Sequence, residues 1–292
     1  MTDLRPRRSV LYMPAANPRA LEKAKTIPAD ALIFDLEDAV APEAKADARA
    51  AAVAATASGA YGRRELTIRC NGLDSPWGAD DLGAMADAGP ALAAVVIPKV
   101  DSVSDLDGVS ATLDAGGAAP EVSIWAMVET PTAILDARLL AAHPRVEVLV
   151  MGTNDLAKEL YATVGPNRAG LHPHLAAAVL AARAAGTVIL DGVYNDIGDA
   201  EGLAAECEQG LQLGFDGKTL IHPGQVQIAN DTWAPSAEAI EEAEAVIAAF
   251  ADAQAEGRGV ITVNGRMIEH LHVEQARRTL SVAAAIDEQS DG

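Results

Sequence analysis

Residues 122–130 read VSIWAMVET, and the run passes directly into PTAILDA. Successive side chains of a strand point to opposite faces. Val122, Ile124, Ala126 and Val128 share one face and suit packing against helices. Ser123, Trp125, Met127 and Glu129 share the other and would line the inside of a closed barrel. Burying an unpartnered carboxylate costs several kcal/mol, so Glu129 is expected to be solvated, paired or holding a cation.

The same strand-then-helix unit recurs along the chain. Strand-like runs are SVLYMP (9–14), ALIFDLE (31–37), ELTIRCN (65–71), AAVVIPKV (93–100), VSIWAMVET (122–130), VEVLVMGT (146–153), TVILDGVY (187–194) and FDGKTLIHP (215–223). Alanine-rich helical stretches such as PEAKADARAAAVAA and PHLAAAVLAARAAG lie between them. Eight such units without a long interruption predict an α/β fold, a closed (β/α)8 TIM barrel. An open doubly wound sheet would carry fewer units and a glycine-rich phosphate turn, and neither GxGxxG nor GxxxxGKS occurs.

After the eighth run come a helical stretch (235–257) ended by glycine, a short GVITVNGRMIE segment (259–269) with an NG turn signal, and a last helix. The expected division is therefore a catalytic barrel over residues 1–232 and a helical extension over 233–292. That extension is too short for an independent domain and is expected to pack on the barrel or on a neighbouring subunit.

The formal charge of −20 over 292 residues argues against nucleic acid or an anionic membrane as partner. It leaves room for a local basic pocket. Two cysteines, Cys70 and Cys207, have no CxxC spacing, which favours packing roles in a reducing compartment over a disulfide or zinc knuckle. No signal-type h-region and no run of the roughly 18 apolar residues needed to span a bilayer occurs. A cytoplasmic location is expected.

Polar residues gather at inner positions near the C-terminal strand ends, where barrel enzymes keep their chemistry. Glu129 ends strand five, and Asp155, in VLVMGTNDLAKEL, follows strand six. Adjacent strands lie about 4.8 Å apart, so the two acids can meet. They would repel unless one is protonated or a cation sits between them; a hard divalent ion with oxygen ligands suits the pair. Capping of the helices that follow explains the same positions, and spacing alone leaves both open. In DLED, Asp35 and Glu37 take inner parity; Glu37 suits a bond to metal-bound water or to an arginine, whereas Asp38 fits a solvated turn. Arg69 ends strand three at inner parity, as a structural ion pair or an anion clamp. Lys99 closes strand four among acids that disfavour a neutral Schiff-base amine. His222 lies near the end of strand eight, while His172 and His174 read as helix-start residues.

Taken together, RSVLYMPAANPRALEKA, LIFDLEDAVAPEAK, IRCNG, VVIPKV, MVETPTAILDA, MGTNDLAKEL, GKTLIHPGQV and NGRMIEHLHVEQAR resemble, in order, the signature segments of the citrate lyase β-subunit-like family. That family sits within the HpcH/HpaI aldolase superfamily and includes malyl-CoA and citramalyl-CoA lyases. The resemblance covers about residues 7 to 283. It implies a TIM barrel, a homotrimer or hexamer, Mg²⁺ (with Mn²⁺ as a substitute) and acyl-CoA substrates. By position it makes Glu129 and Asp155 the Mg²⁺ ligands and Arg69 the contact to the substrate carbonyl or enolate. Glu37 and Asp38 would hold metal-bound waters, and Lys23 would contact CoA.

The family's MID segment, whose Asp is thought to reach the next subunit's site as acid or base, reads MIE here, so Glu269 takes that place. The extra methylene moves the carboxyl by about 1 Å, enough to alter proton transfer. The usual PG[SN] after strand one reads Pro14, Ala15, Ala16.

The leading expectation is Mg²⁺-dependent retro-Claisen cleavage of a 3-hydroxy-3-carboxyacyl-CoA such as (3S)-malyl-CoA to acetyl-CoA and glyoxylate. Glu269 would protonate the enolate carbon. The alternative is a (3S)-malyl-CoA thioesterase, for which the Glu269 change gives a specific reason. A second alternative is the β subunit of a citrate lyase complex.

Overall fold

The structure, a computed structural model, describes residues 5–255, 260–263 and 265–290. Gly257 at the expected helix stop and Asn264 of the NG turn lie outside the described residues. So does the C-terminal pair 291–292.

Eight parallel strands close into a barrel in sequential order. They are β1 (Ser9–Pro14), β2 (Ala31–Asp35), β3 (Glu65–Arg69), β4 (Ala94–Ile97), β5 (Ser123–Val128), β6 (Val146–Met151), β7 (Val188–Asp191) and β8 (Gly217–Leu220). Closure is made where β1 pairs with β8, with Val10 opposite Thr219. The helices are α1 (Pro18–Ala24), α2 (Lys45–Ala57), α3 (Gly78–Ala86), α4 (Val103–Ala115), α5 (Pro131–Ala141), α6 (Thr153–Glu159), α7 (His172–Ala185), α8 (Ala200–Leu213) and α9 (Val226–Trp233). All eight expected strands are present; β1 spans the whole of its expected run, and the other seven are shorter than theirs.

Parity follows from the pleat. The barrel interior is filled by Val10, Ala31, Ile33, Ala94, Val96, Trp125, Met127, Val148, Val150 and Leu190. Inner residues continuing toward the C-terminal ends are Asp35, Arg69 and Glu129. At the opposite end, Arg7 closes the barrel floor. Its Nε and Nη2 donate to both Glu65 oxygens at 2.6 and 2.8 Å, and its guanidinium lies 5.4 Å from the Trp125 ring centroid.

Local signals set the helix starts. Asn17 caps α1, Ser102 and Asp105 form a capping box on α4, and Thr130 caps α5. Left-handed glycines end α7 and α8.

The described chain falls into two compact units, Arg7–Thr232 and a second built around residues from Trp233 onward. The second contains α10 (Ala237–Ala255), an antiparallel pair β9 (Ile261–Val263) and β10 (Arg266–Ile268), and α11 (His270–Ser290). Its own apolar core includes Val246, Phe250, Ile268 and Val273. Among the described residues no helix is long and apolar enough to cross a membrane.

Candidate active site

At the mouth of the barrel, β2 and β3 end side by side with Asp35 opposite Arg69. Arg69 Nε and Nη2 donate to the two Asp35 oxygens at 2.6 and 2.8 Å. Its Nη1 pairs with Glu37 Oε2 at 2.9 Å and with Asp38 Oδ2 at 3.3 Å. The Tyr12 ring lies beneath it, 4.9 Å from its central carbon. The guanidinium is thus gripped on both edges and from one face.

Burial raises the Asp35 carboxyl, but Arg69 and the backbone N–H groups of Glu37 and Ala39 outweigh it and hold the group below its ordinary value. The Arg69 pKa is raised: burial opposes its charge, and Asp35 more than offsets that. Burial also pushes the Glu37 carboxyl up, against Arg69.

Lys99 follows β4 with a left-handed backbone, φ 51°, which is rare for a side-chain-bearing residue. That turn aims its backbone N–H at Glu129 Oε1, 2.8 Å away. Its Nζ reaches Glu37 Oε1 at 3.1 Å. Burial works to lower the Lys99 pKa, but Glu37, Glu129 and Asp155 raise it, which disfavours the neutral amine a Schiff base requires.

Glu129 is 2 % exposed. Its carboxyl is pushed up to about 7, first by burial and then by Glu37 and Asp155, with the Lys99 N–H pulling the other way. It rests on Gly152, the residue between β6 and α6. A Cβ on Gly152 would stand 3.0 Å from Glu129 Cδ and overlap Oε2 outright. Asp155 sits half-buried in the first turn of α6. The two acids share one cleft of about 350 Å³ with Arg69, Asp35, Asp38, Tyr12, Met127 and Met151.

Neither acid is an N-cap residue, although Asp155 in the first turn of α6 still suits the positive end of that helix. Thr130 caps α5 and accepts from Ala133 N–H at 3.0 Å, and Gly152 holds the N-cap position of α6. Among the described residues no group of three or more His, Cys, Asp or Glu side chains converges as a metal cage. Two carboxylates, one of them destabilised as an anion, fit an ion that takes hard oxygen ligands and keeps several positions for water or substrate, as Mg²⁺ does. A structural zinc would demand more protein ligands. Glu129 and Asp155 could therefore hold Mg²⁺ here.

Other expected residues lie elsewhere. Lys23 is exposed on α1 and does not line this cleft. His222 is exposed, its Nδ1 accepting from Gly224 N–H at 3.1 Å. Glu269 belongs to the second unit, at the start of α11, where its N–H donates to His272 Nδ1 at 3.0 Å. Cys70 and Cys207 are both buried and unpaired as cysteines.

Three features had no assigned role in the sequence reading: the Asp35 clamp, the Lys99 backbone and the Gly152 cradle. The shared inner parity of Asp35 and Arg69 was a usable signal for the first. Nothing in the sequence singles out the backbone angle of Lys99.

A (β/α)8 barrel with a clamped arginine and two carboxylates, one buried and one half-buried, at its C-terminal mouth defines an acid-lined barrel enzyme. The chain belongs to the HpcH/HpaI aldolase/citrate lyase family, whose profile matches residues 8–223. It is 50 % identical over 281 residues to the (3S)-malyl-CoA thioesterase of Cereibacter sphaeroides, covering 96 % of each chain. It is 33 % identical to the L-malyl-CoA/β-methylmalyl-CoA lyase of the same organism, covering 93 % of each. Among solved structures, the CitE protein of Mycobacterium tuberculosis in complex with magnesium, acetoacetate and coenzyme A matches with a TM-score of 0.75 and 29 % identity, covering 94 % of this chain and 97 % of that one. The two Cereibacter relatives are a CoA-ester thioesterase and a CoA-ester lyase, and this chain is an enzyme of that type.

Proposed function

We propose that this protein hydrolyses the thioester of (3S)-malyl-CoA, releasing malate and CoA, with Mg²⁺ held by Glu129 and Asp155 and Mn²⁺ as a substitute. The observation that carries the choice is the 50 % identity to a thioesterase over nearly the whole of both chains, against 33 % to a lyase. This reverses the ranking that the motifs alone suggest. The replacement at Glu269 points the same way, because impaired carbon protonation slows cleavage of a C–C bond and leaves hydrolysis unaffected.

When bound, Mg²⁺ would polarise substrate oxygens and make water more acidic. Arg69, fixed by Asp35, Glu37 and Tyr12, stabilises the negative charge that develops on the thioester oxygen. Glu37 has both oxygens engaged, by Arg69 and by Lys99, so it orients its neighbours and is poorly placed to take a proton. Asp38 is the more exposed acid and accepts a proton from the attacking water. The water oxygen bonds to the acyl carbon, the C–S bond breaks, and the departing thiolate takes up the proton.

Lys23 is assigned to CoA by the resemblance alone. The resemblance also assigns Glu269 to a neighbouring subunit's cleft, which makes a homo-oligomer part of the proposal. Retro-Claisen cleavage is the second reading, favoured by the lyase relatives and by the same arginine.

Incubation with (3S)-malyl-CoA and Mg²⁺, with glyoxylate trapped as its hydrazone, separates the two. Free CoA and malate without glyoxylate are expected. Stoichiometric glyoxylate and acetyl-CoA would establish the lyase.

A further inference from the structure

Behind the cleft, on the helix-facing side of β7 and β8, lies a second set of charges that the proposed chemistry does not use. Leu190 points into the barrel, so Asp191 points the other way. Arg168 Nη1 and Nη2 grip Asp191 at 2.7 and 2.9 Å. Lys218 Nζ donates to Asp191 Oδ2 at 3.0 Å, to Glu206 Oε1 at 2.7 Å, and to the Gly192 carbonyl. Asp191 and Lys218 have no exposed surface, and the Arg168 side chain is 3 % exposed.

Buried ion clusters of this kind are weak stabilisers, because desolvation offsets their attraction. Arg168 also sits in a left-handed backbone, φ 42°, beside Asn167 at φ 64°. Such strain persists where surrounding contacts over-determine the conformation. A reason beyond bulk stability is needed, and the geometry supplies one.

The cluster fixes the peptide after β7 from both sides. Gly192 N–H donates to Asp191 Oδ1 at 2.8 Å while the Gly192 carbonyl is held by Lys218. Gly192 in turn lies flat against Thr153, the first residue of α6. A Cβ on Gly192 would overlap Thr153 Oγ1, stand 2.6 Å from its Cγ2 and lie 2.9 Å from the Met151 carbonyl. Three residues on, Asn195 exchanges two amide hydrogen bonds with Asn154, at 2.7 and 3.2 Å. Thr153 and Asn154 immediately precede Asp155.

We propose that the Arg168–Asp191–Lys218–Glu206 cluster is a positioning device for Asp155, acting through Gly192 and Asn195 on the first turn of α6. These are positioning residues: none of them contacts the reacting atoms. The inference rests on the reading of Asp155 as a cation ligand. Outer residues that orient a ligand typically change metal affinity tenfold to a hundredfold when altered.

The test is calorimetric titration of the full-length, metal-free protein with MgCl₂, which needs no turnover. Gly192→Ala and Lys218→Met are expected to weaken Mg²⁺ binding about tenfold or more. Glu65→Gln, which breaks the comparable buried pair with Arg7 at the barrel floor, is expected to lower Tm and leave Mg²⁺ affinity unchanged. If Lys218→Met does not fold, Glu206→Gln decides, since it removes one charged partner of Lys218 and leaves Gly192 and Thr153 in place. Unaltered Mg²⁺ affinity in folded Gly192→Ala, Lys218→Met or Glu206→Gln, or equal weakening in Glu65→Gln, overturns the proposal. A wild-type protein that binds no Mg²⁺ overturns the metal reading of Asp155 itself, and this inference with it.

Discussion

The carboxylate of Glu129 lies against Gly152, one strand over, where Val128 of β5 pairs with Met151 of β6 and Gly152 N–H donates to the Val128 carbonyl at 3.1 Å. Gly152 is needed for want of a side chain: its own backbone is not left-handed. The strand ends can come together with a carboxylate between them only if one position carries no Cβ.

Gly152→Ala is therefore expected to leave the barrel folded and displace Glu129. Overpacking of this kind costs about 1–3 kcal/mol of stability. A misplacement near 1 Å costs about a hundredfold in activity. Thermal melting and a Mg²⁺ titration on the same sample check both; wild-type Mg²⁺ affinity in a folded variant would refute the cradle.

The raised Glu129 carboxyl gives a pH dependence with a definite sign. Its ordinary value of 4.5 moves to about 7 in the folded, metal-free protein, so the folded state binds this proton more tightly than the unfolded chain. The resulting stabilisation is full below 4.5 and is lost as pH rises through 7, a change of about 3 kcal/mol. In EDTA, Tm is expected to fall between pH 5 and pH 8 and to recover on adding Mg²⁺ at the higher pH. Glu129→Gln should flatten that fall, and an unchanged pH profile would contradict the assignment.

Asp35→Asn keeps the shape of the clamp and removes its charge. Arg69 then loses its strongest anchor, and a buried ion pair broken from one side costs about 3–5 kcal/mol. The expected kinetic signature is a drop in kcat of about a hundredfold with Mg²⁺ affinity near wild type, because Asp35 belongs to the arginine's surroundings and not to the carboxylate pair. Steady-state kinetics and calorimetry together test this split.

Lys99→Gly separates the backbone of Lys99 from its side chain. Glycine adopts φ 51° without strain, so the N–H that holds Glu129 survives while the ammonium bridge to Glu37 is lost. Melting temperature is expected to stay within a few degrees of wild type. Lys99→Val, with a β-branched residue in the same turn, should lower it clearly and weaken Mg²⁺ binding.

The sequence by itself determined the barrel and its parity. Strand alternation has a period of two, and a one-residue slip would turn the whole interior outward. Trp125, Met127 and Glu129 therefore had to share one face, and Arg69 had to join them at the mouth. The carboxylate pair was legible for the same reason: strand order in a sequential barrel puts the ends of β5 and β6 side by side.

Whether those acids were helix caps or a cation pair was not legible, because both roles place an acid just past a strand. The tertiary structure narrows the choice, since neither acid is an N-cap residue: Thr130 and Gly152 hold those positions. The Asp35 grip on Arg69 was foreshadowed only by shared parity, and the left-handed turn at Lys99 and the contact of Gly192 with α6 left no trace in the sequence. Each depends on close approach between residues 30 or more positions apart, and the local pattern of a chain carries no record of such distances.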